Sequence, residues 1–122
     1  MSTVRVHNAD RDTVLGVEVE VADDWWHRLR GLLGRPPLKP GEGLLISPCR
    51  SVHMYGMKFG LDVVFLARDG RVVGLYEALA PGRLTRWHRD ALHALEVPSG
   101  TIATSGTRLG DRLAWQSVGE NT

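Results

Sequence analysis

The sequence predicts a mostly β protein, a β-rich α+β domain whose short antiparallel strands form a compact sandwich or partly closed barrel with one main helix. Three observations predict this class: apolar residues recur with a period of two in several short runs, fourteen glycines favour tight turns, and one segment has helical spacing. With 122 residues, 43% of them hydrophobic, the chain can bury one core but not two. We therefore expect a single domain over residues 1–122.

The N-terminal segments have the pattern of a β-hairpin. Residues Thr3–His7 and Thr13–Val21 alternate between apolar and polar positions, with β-branched residues prominent in both. A period of two with such residues is typical of half-buried strands. Between the two segments, Asn8–Arg11 has the composition of a turn.

The main helix is predicted from Asp24 to Leu33. Asp24 can cap the free N–H groups of the first turn. Trp26, Leu29 and Leu33 fall at helical spacing and are expected to face the core. Gly34 and the prolines that follow it end the helix.

Further strands are predicted from short apolar or alternating runs, and a single turn of helix is predicted over Ser99–Gly106. The runs are Gly43–Ser47, Ser51–Met57, Leu61–Ala67, Arg71–Tyr76, Leu92–Val97 and Leu113–Val118. Leu61–Ala67 is apolar on both faces, which predicts a central strand covered on both sides. Asp69-Gly70 predicts a two-residue hairpin turn in which Gly70 has a positive φ.

The charge and cysteine content limit the classes of partner and the compartment. Fifteen Lys and Arg balance fourteen Asp and Glu, so the charge gives no general attraction to nucleic acid or to acidic membranes. No segment has the pattern of a signal peptide or the length of a membrane span. Cys49 is the single cysteine, which agrees with a reducing compartment. We expect a cytoplasmic protein with no membrane or nucleic-acid partner.

An ordered set of short motifs resembles one known family. The blocks are Arg28, Gly31–Arg35, Gly43–Leu45, Cys49–His53, Gly56–Lys58, Leu61–Leu66, Asp69-Gly70, Leu95–Gly100 and Gly110-Asp111. Together they look like the prokaryotic family catalogued as domain of unknown function 192, matched over about residues 13–118. The resemblance implies a small β-rich domain with a helix near its N-terminal side, and it implies no established activity. The chain departs from the family pattern after His53, where it lacks the usual Trp and Asn.

The segment Cys49–Asp62 contains the best candidates for a polar site. Asp62 begins an apolar strand, where a carboxylate is costly unless it is paired. Lys58, Arg28 or Arg35 can pair with it, or it can orient His53 as an acid–base partner. The structural alternative is that Asp62 caps a loop or forms an ion pair, while His53 is an ordinary hydrogen-bonded histidine.

Loop length favours one of these arrangements. Three residues separate the strand predicted at Ser51–Met57 from that at Leu61–Ala67, so the two are expected to form a tight antiparallel pair. This places His53 about 10 Å from Asp62, at roughly 3.4 Å per residue. We therefore expect an Asp62–Lys58 pair, with His53 as a separate pocket residue.

No cofactor or metal is expected from the sequence. Cys49 and His53 are four residues apart, but no second pair of ligands at a suitable spacing follows them. The segment Arg83–Arg89 combines arginines with a tryptophan and can touch phosphate or single-stranded nucleic acid. Because it follows Pro81-Gly82, a solvated connecting loop is the favoured interpretation.

Two functions are compatible with the sequence. The first is a non-catalytic ligand-binding or accessory module, in which His53, Tyr55, Met57 and Lys58 line a face that holds a small molecule or a protein segment. The second is a small hydrolase or isomerase that uses His53 and Asp62 as an acid–base pair. The first is favoured, because the sequence offers no nucleophile, base and orienting group in a recognisable set.

Overall fold

A computed structural model of the protein describes residues 2–24, 28 and 31–118. The elements whose bounds lie within this part of the chain are seven strands and one short helix. They are β1 Thr3–Asn8, β2 Thr13–Ala22, β3 Glu42–Ile46, β4 Leu61–Leu66, β5 Val72–Leu79, β6 His93–Pro98, α1 Thr101–Ser105 and β7 Leu113–Ser117. Within those residues, no helix has the length and apolar character needed to cross a bilayer. The predicted mostly β class is confirmed.

The seven strands form one sheet in the order β5-β4-β6-β3-β2-β1-β7. The sheet curls until the beginnings of its two edge strands meet: the Leu113 N–H donates to the Gly70 carbonyl at 2.9 Å, and the Val72 N–H donates to the Asp111 carbonyl at 2.8 Å. Of the two predicted architectures, the partly closed barrel is therefore the one observed.

One pair of strands departs from the predicted antiparallel arrangement. β2 and β3 are parallel, with Val19 beside Gly43 and Ala22 beside Ile46. A parallel pair cannot be joined by a tight turn, because the chain must return to the end at which it started. The connection over residues 23–41 makes this return.

The two faces of the sheet carry separate hydrophobic cores. The inner core draws on every strand and on α1, and it contains Val4, Val6, Leu15, Val19, Leu45, Val64, Leu66, Val72, Leu95, Val97, Ile102 and Leu113. The outer core combines residues of β2, β3, β4 and β6 with residues of the connections, and it contains Ala22, Leu32, Leu44, Ile46, Val52, Met54, Leu61, Val63, Phe65, Ala91 and Ala94. The connections therefore cover the outer face of the sheet.

The turn between β4 and β5 has the predicted positive φ at Gly70 but is one residue longer than predicted. Gly70 has φ +89°, as predicted. The Gly70 N–H donates to the Ala67 carbonyl and the Ala67 N–H donates to the Arg71 carbonyl, each at 2.9 Å. The loop therefore has three residues, 68–70, and the predicted two-residue turn is wrong. A left-handed glycine as the third loop residue is a common solution for hairpins of this length.

The segment predicted as a strand at Ser51–Met57 is instead a connection. Its Met54 N–H donates to the Arg83 carbonyl at 2.7 Å, and the Thr85 N–H donates to the Val52 carbonyl at 2.9 Å. The prediction was wrong because these residues pair with another connection and not with β4. The tight hairpin expected between this segment and β4 is therefore absent.

The predicted main helix falls mostly outside the described residues, Trp26 and Leu29 included. Arg28 is helical, and its N–H donates to the Asp24 carbonyl at 3.0 Å. The prediction fails at its C-terminal end, where residues 31–34 form a turn. Leu33 is 45% exposed and Leu32 is the buried residue. The reason is Gly31, whose φ of +53° breaks the helical spacing.

Closure of the barrel makes Gly70 difficult to replace. A Cβ atom on Gly70 would lie 2.2 Å from the Leu113 carbonyl oxygen. Gly82 is a matched control, because its φ is +82° and a Cβ there would meet nothing within 4 Å. We expect Gly70→Ala to lower the free energy of unfolding by at least about 2 kcal/mol more than Gly82→Ala, since both carry backbone strain but only one carries the clash. Urea denaturation measures the difference, and equal losses would contradict this closing contact.

Candidate functional site

Asp62 is a fully buried carboxylate whose partners are all backbone groups. Its Oδ1 accepts the Ala78 N–H at 2.8 Å, and its Oδ2 accepts the N–H groups of Gly100 at 3.1 Å and Ile102 at 2.8 Å. Ala78 has a positive φ of 49°, and Gly100 and Ile102 lie at the N-terminus of α1. Asp62 therefore joins β4, β5 and the start of α1, which is a structural role.

The basic side chains proposed as partners for Asp62 are not bound to it. Arg35 instead pairs with Glu20, at 3.0 and 3.3 Å. Neither Lys58 nor Arg28 makes an ion pair with Asp62 among the described residues, and the predicted Asp62–Lys58 pair is therefore wrong. Three backbone N–H groups, those of Ala78, Gly100 and Ile102, take the place that a cation would have occupied.

His53 and Asp62 do not form the acid–base pair considered as the alternative, and His53 lies apart from Asp62 as expected. His53 is exposed, and its ring stacks on Tyr55 with the ring centroids 5.4 Å apart. Both oxygens of Asp62 are occupied by backbone N–H groups, as described above. The arrangement required by a hydrolase or isomerase that uses these two residues is absent.

Four of the predicted site residues, Arg28, His53, Tyr55 and Met57, line one cavity, which we name the Glu96 cavity. It has a volume of about 110 Å³. It is lined by Arg28, Gly31, Leu32, Leu33, Ile46, Cys49, Ser51, Val52, His53, Met54, Tyr55, Met57 and Glu96. Lys58 and Arg35 line a neighbouring cavity, of which Met57 is also a wall. The predicted site thus divides into two surfaces and one structural residue, Asp62.

Glu96 is the residue of this cavity that the sequence reasoning missed. It lies in the middle of β6, beside Leu44 on one side and Val63 on the other. It is 6% exposed, and no described group donates a hydrogen bond to its carboxyl. Burial raises the pKa of Glu96 from 4.5 to about 7. An acid inside the apolar run Leu95–Val97 was the signal that could have identified it.

Cys49 lines the same cavity as Glu96, and its side chain stays protonated near neutral pH. Its Sγ donates to the Ser51 carbonyl at 3.1 Å. Burial, aided by the negative charge of Glu96, raises the pKa of Cys49 to about 11, while Arg28 acts in the opposite direction. A thiol that stays protonated near neutral pH is a poor nucleophile. Among the described residues, no group of three or more His, Cys, Asp or Glu could hold a metal ion.

The segment Arg83–Arg89 is anchored by two inward-facing side chains. Thr85 is buried and its hydroxyl accepts the Val52 N–H at 2.9 Å. His88 is also buried: it stacks on Phe65 with centroids 4.2 Å apart and hydrogen-bonds the Tyr76 hydroxyl at 2.6 Å. The remaining residues of the segment are exposed, which agrees with the favoured interpretation as a solvated loop.

The role of Asp62 can be tested by removing its carboxylate. Asp62→Ala leaves three backbone N–H groups without an acceptor, and we expect it to lower the free energy of unfolding by about 3 kcal/mol or more. His53→Gln, at an exposed position, is expected to change it by less than about 0.5 kcal/mol. In urea denaturation, the two effects should add in the double variant to within about 0.5 kcal/mol. Strong coupling between them would contradict the separation of these residues.

The burial of Glu96 gives a stability effect that depends on pH. The folded protein holds the Glu96 proton more tightly than the unfolded chain, so this residue makes wild-type stability fall as the pH rises from about 4.5 to about 7. Glu96→Gln cannot ionise and lacks this loss. We expect the free energy of unfolding of Glu96→Gln, measured relative to that of the wild type, to be about 2–3 kcal/mol higher at pH 8 than at pH 4. Parallel denaturation curves at the two pH values measure this gain, and a constant difference would refute it.

Two solved structures resemble this fold. One is a Sinorhizobium meliloti protein suggested to be a transcription regulator, with a TM-score of 0.79 and 27% identity, covering 93% of this chain and 92% of the other. The second is a Novosphingobium aromaticivorans protein of unknown function, with a TM-score of 0.77 and 24% identity, covering 93% of this chain and 84% of the other. The likeness to the second shows the fold alone.

Sequence relatives extend over nearly the whole chain. A UPF0127 protein of Pyrococcus furiosus is 33% identical over 114 residues, which cover 91% of this chain and 97% of the relative. A UPF0127 protein of Thermococcus sibiricus is 30% identical over 116 residues, covering 89% and 73%. The family DUF192, described as an uncharacterized ACR, matches residues 6–115. The chain therefore belongs to the uncharacterised DUF192 family, whose relatives are named UPF0127 proteins.

Proposed function

We propose that this protein is a non-catalytic module that binds a small molecule in the Glu96 cavity. The observation that carries the proposal is the Glu96 carboxyl, which is 6% exposed and lines the cavity with no hydrogen-bond donor among the described residues. The Glu96 oxygens open onto the cavity, since His7 Nδ1 is the fully enclosed side-chain polar atom without a partner among the described residues. A carboxyl so largely removed from water is costly unless a group in the cavity donates to it. A ligand that donates to Glu96 would offset this cost.

The composition of the cavity supports a small-molecule site. Leu32, Ile46, Val52 and Met54 are buried and form apolar walls. The polar lining residues are Arg28, Cys49, Ser51, His53, Tyr55 and Glu96. Apolar walls combined with placed polar groups are a feature of ligand pockets. His53 and Tyr55 are exposed at the same cavity, where they can contact a ligand as it enters.

The proposal is for binding without catalysis because the reactive groups are not arranged for chemistry. The raised pKa of Cys49 keeps its thiol protonated. His53 stacks on Tyr55, and Asp62 is bound to backbone N–H groups. Nucleophilic catalysis needs a nucleophile within hydrogen-bond reach of a base, and neither Cys49 nor His53 has such a partner among the described residues.

A ligand screen read by NMR tests this function. Amino acids, amines, carboxylates, sugars and nucleosides are added separately to uniformly labelled protein. We expect at least one class to shift the backbone amide signals of Cys49, His53 and Glu96 and to raise the Tm, because a ligand of the folded state stabilises it. Glu96→Gln should weaken this response, whereas Glu77→Gln, at an exposed site of β5, should leave it unchanged. Shifts confined to other surfaces would contradict the proposed site.

A further inference from the structure

We propose that the ligand of the Glu96 cavity is a small zwitterion that carries a primary ammonium and a carboxylate, of which α-amino acids are the simplest class. This inference rests on the proposed function and names the chemistry of its ligand. It is derived from the two opposite charges that line one cavity, Glu96 and Arg28.

Both charged groups lack a protein partner among the described residues. No described carboxylate lies within ion-pair distance of Arg28, and no described donor bonds the Glu96 carboxyl. The two groups are not paired with each other, although both act electrostatically on the Cys49 thiol with opposite sign. The cavity thus presents an acidic and a basic group that flank Cys49 and remain separate.

The hydrogen-bonding capacity of each group selects its counterpart. An ionised Glu96 carboxyl accepts hydrogen bonds and donates none, so it matches an ammonium that carries N–H groups. A quaternary ammonium has the charge but no N–H to donate. The Arg28 guanidinium has donors in a planar fork, which fits a carboxylate with two oxygens.

The volume of the cavity limits the size of the zwitterion. The cavity has a volume of about 110 Å³, and for comparison an apolar cavity of about 150 Å³ can hold benzene, which has six non-hydrogen atoms. This space suits a compound of about four to six non-hydrogen atoms, such as glycine or alanine. The apolar walls Leu32, Ile46 and Val52 can hold a short aliphatic side chain but offer no polar partner for a longer one.

Calorimetric titration of the 122-residue chain with four probes tests the proposal. L-Alanine carries both charges, ethylamine carries the ammonium, propionate carries the carboxylate, and glycine betaine carries both charges without an N–H. We expect alanine to bind at least about ten-fold more tightly than each of the other three, because it alone satisfies both groups. Ethylamine, propionate or betaine binding as tightly as alanine would overturn the inference.

Variants assign each half of the ligand to its residue. Glu96→Gln should lower the affinity for alanine by about ten-fold and leave the affinity for propionate unchanged. Arg28→Gln should lower the affinity for alanine by a similar factor and leave the affinity for ethylamine unchanged. Glu77→Gln and Arg5→Gln, both at exposed positions, are the matched controls. Circular dichroism verifies that each variant is folded, and the comparison of probes on the wild-type protein needs no variant at all.

The outcomes separate this inference from the proposed function. If ethylamine or another non-zwitterionic compound binds at Glu96 and alanine does not, the module binds a small molecule but the zwitterion is wrong. If none of the four probes binds, the zwitterion is again wrong, and the NMR screen decides the proposed function separately. Alanine binding that is insensitive to both Glu96→Gln and Arg28→Gln would place alanine at another surface and refute the zwitterion, and the NMR screen again decides the proposed function.

Discussion

The Asp62 carboxylate is the constraint on which the arrangement of β4, β5 and α1 depends. Its two oxygens accept three backbone N–H groups, from positions 78, 100 and 102, which lie 16 to 40 residues along the chain from Asp62. One of these belongs to Ala78, which has a left-handed backbone, and the other two belong to the first turn of a helix too short to be stable alone. A single buried charge thus fixes two local conformations that the chain would not hold by itself.

Glu96 is the counterpart of Asp62 on the neighbouring strand, and the contrast between them is informative. Asp62 lies beside Val97 in the β4–β6 pairing, and Val63 lies beside Glu96, so the two acids occupy adjacent positions of the same sheet. The side chain of Asp62 meets three donors, whereas that of Glu96 meets apolar walls and a cavity. Both acids are buried, but only Glu96 lacks a hydrogen-bond donor among the described residues. This is the physical reason for assigning function to Glu96 and architecture to Asp62.

The sequence was sufficient for features that depend on neighbouring residues and insufficient for those that depend on distant ones. The period of two in β1 and the apolar run of β4 are local properties, and both strands were predicted within a residue or two. The partners of Asp62 are 16 to 40 residues away, so spacing along the chain suggested Lys58 instead. The burial of Glu96 is set by strands on both sides of β6, which the sequence pattern does not reveal.

The parallel pairing of β2 and β3 has a consequence for how this fold can diversify. The Glu96 cavity is lined by Arg28 and residues 31–33 of the connection that this parallel pairing requires, together with residues of the segment Ser51–Met57. Glu96 itself is held in the sheet. Glu96 and the enclosing connections therefore belong to different elements, but Leu32, Val52 and Met54 of those connections also form part of the outer core. Under the proposed function, the exposed lining residues His53 and Tyr55 are the positions at which such a scaffold can change which molecules fit while its outer core stays covered.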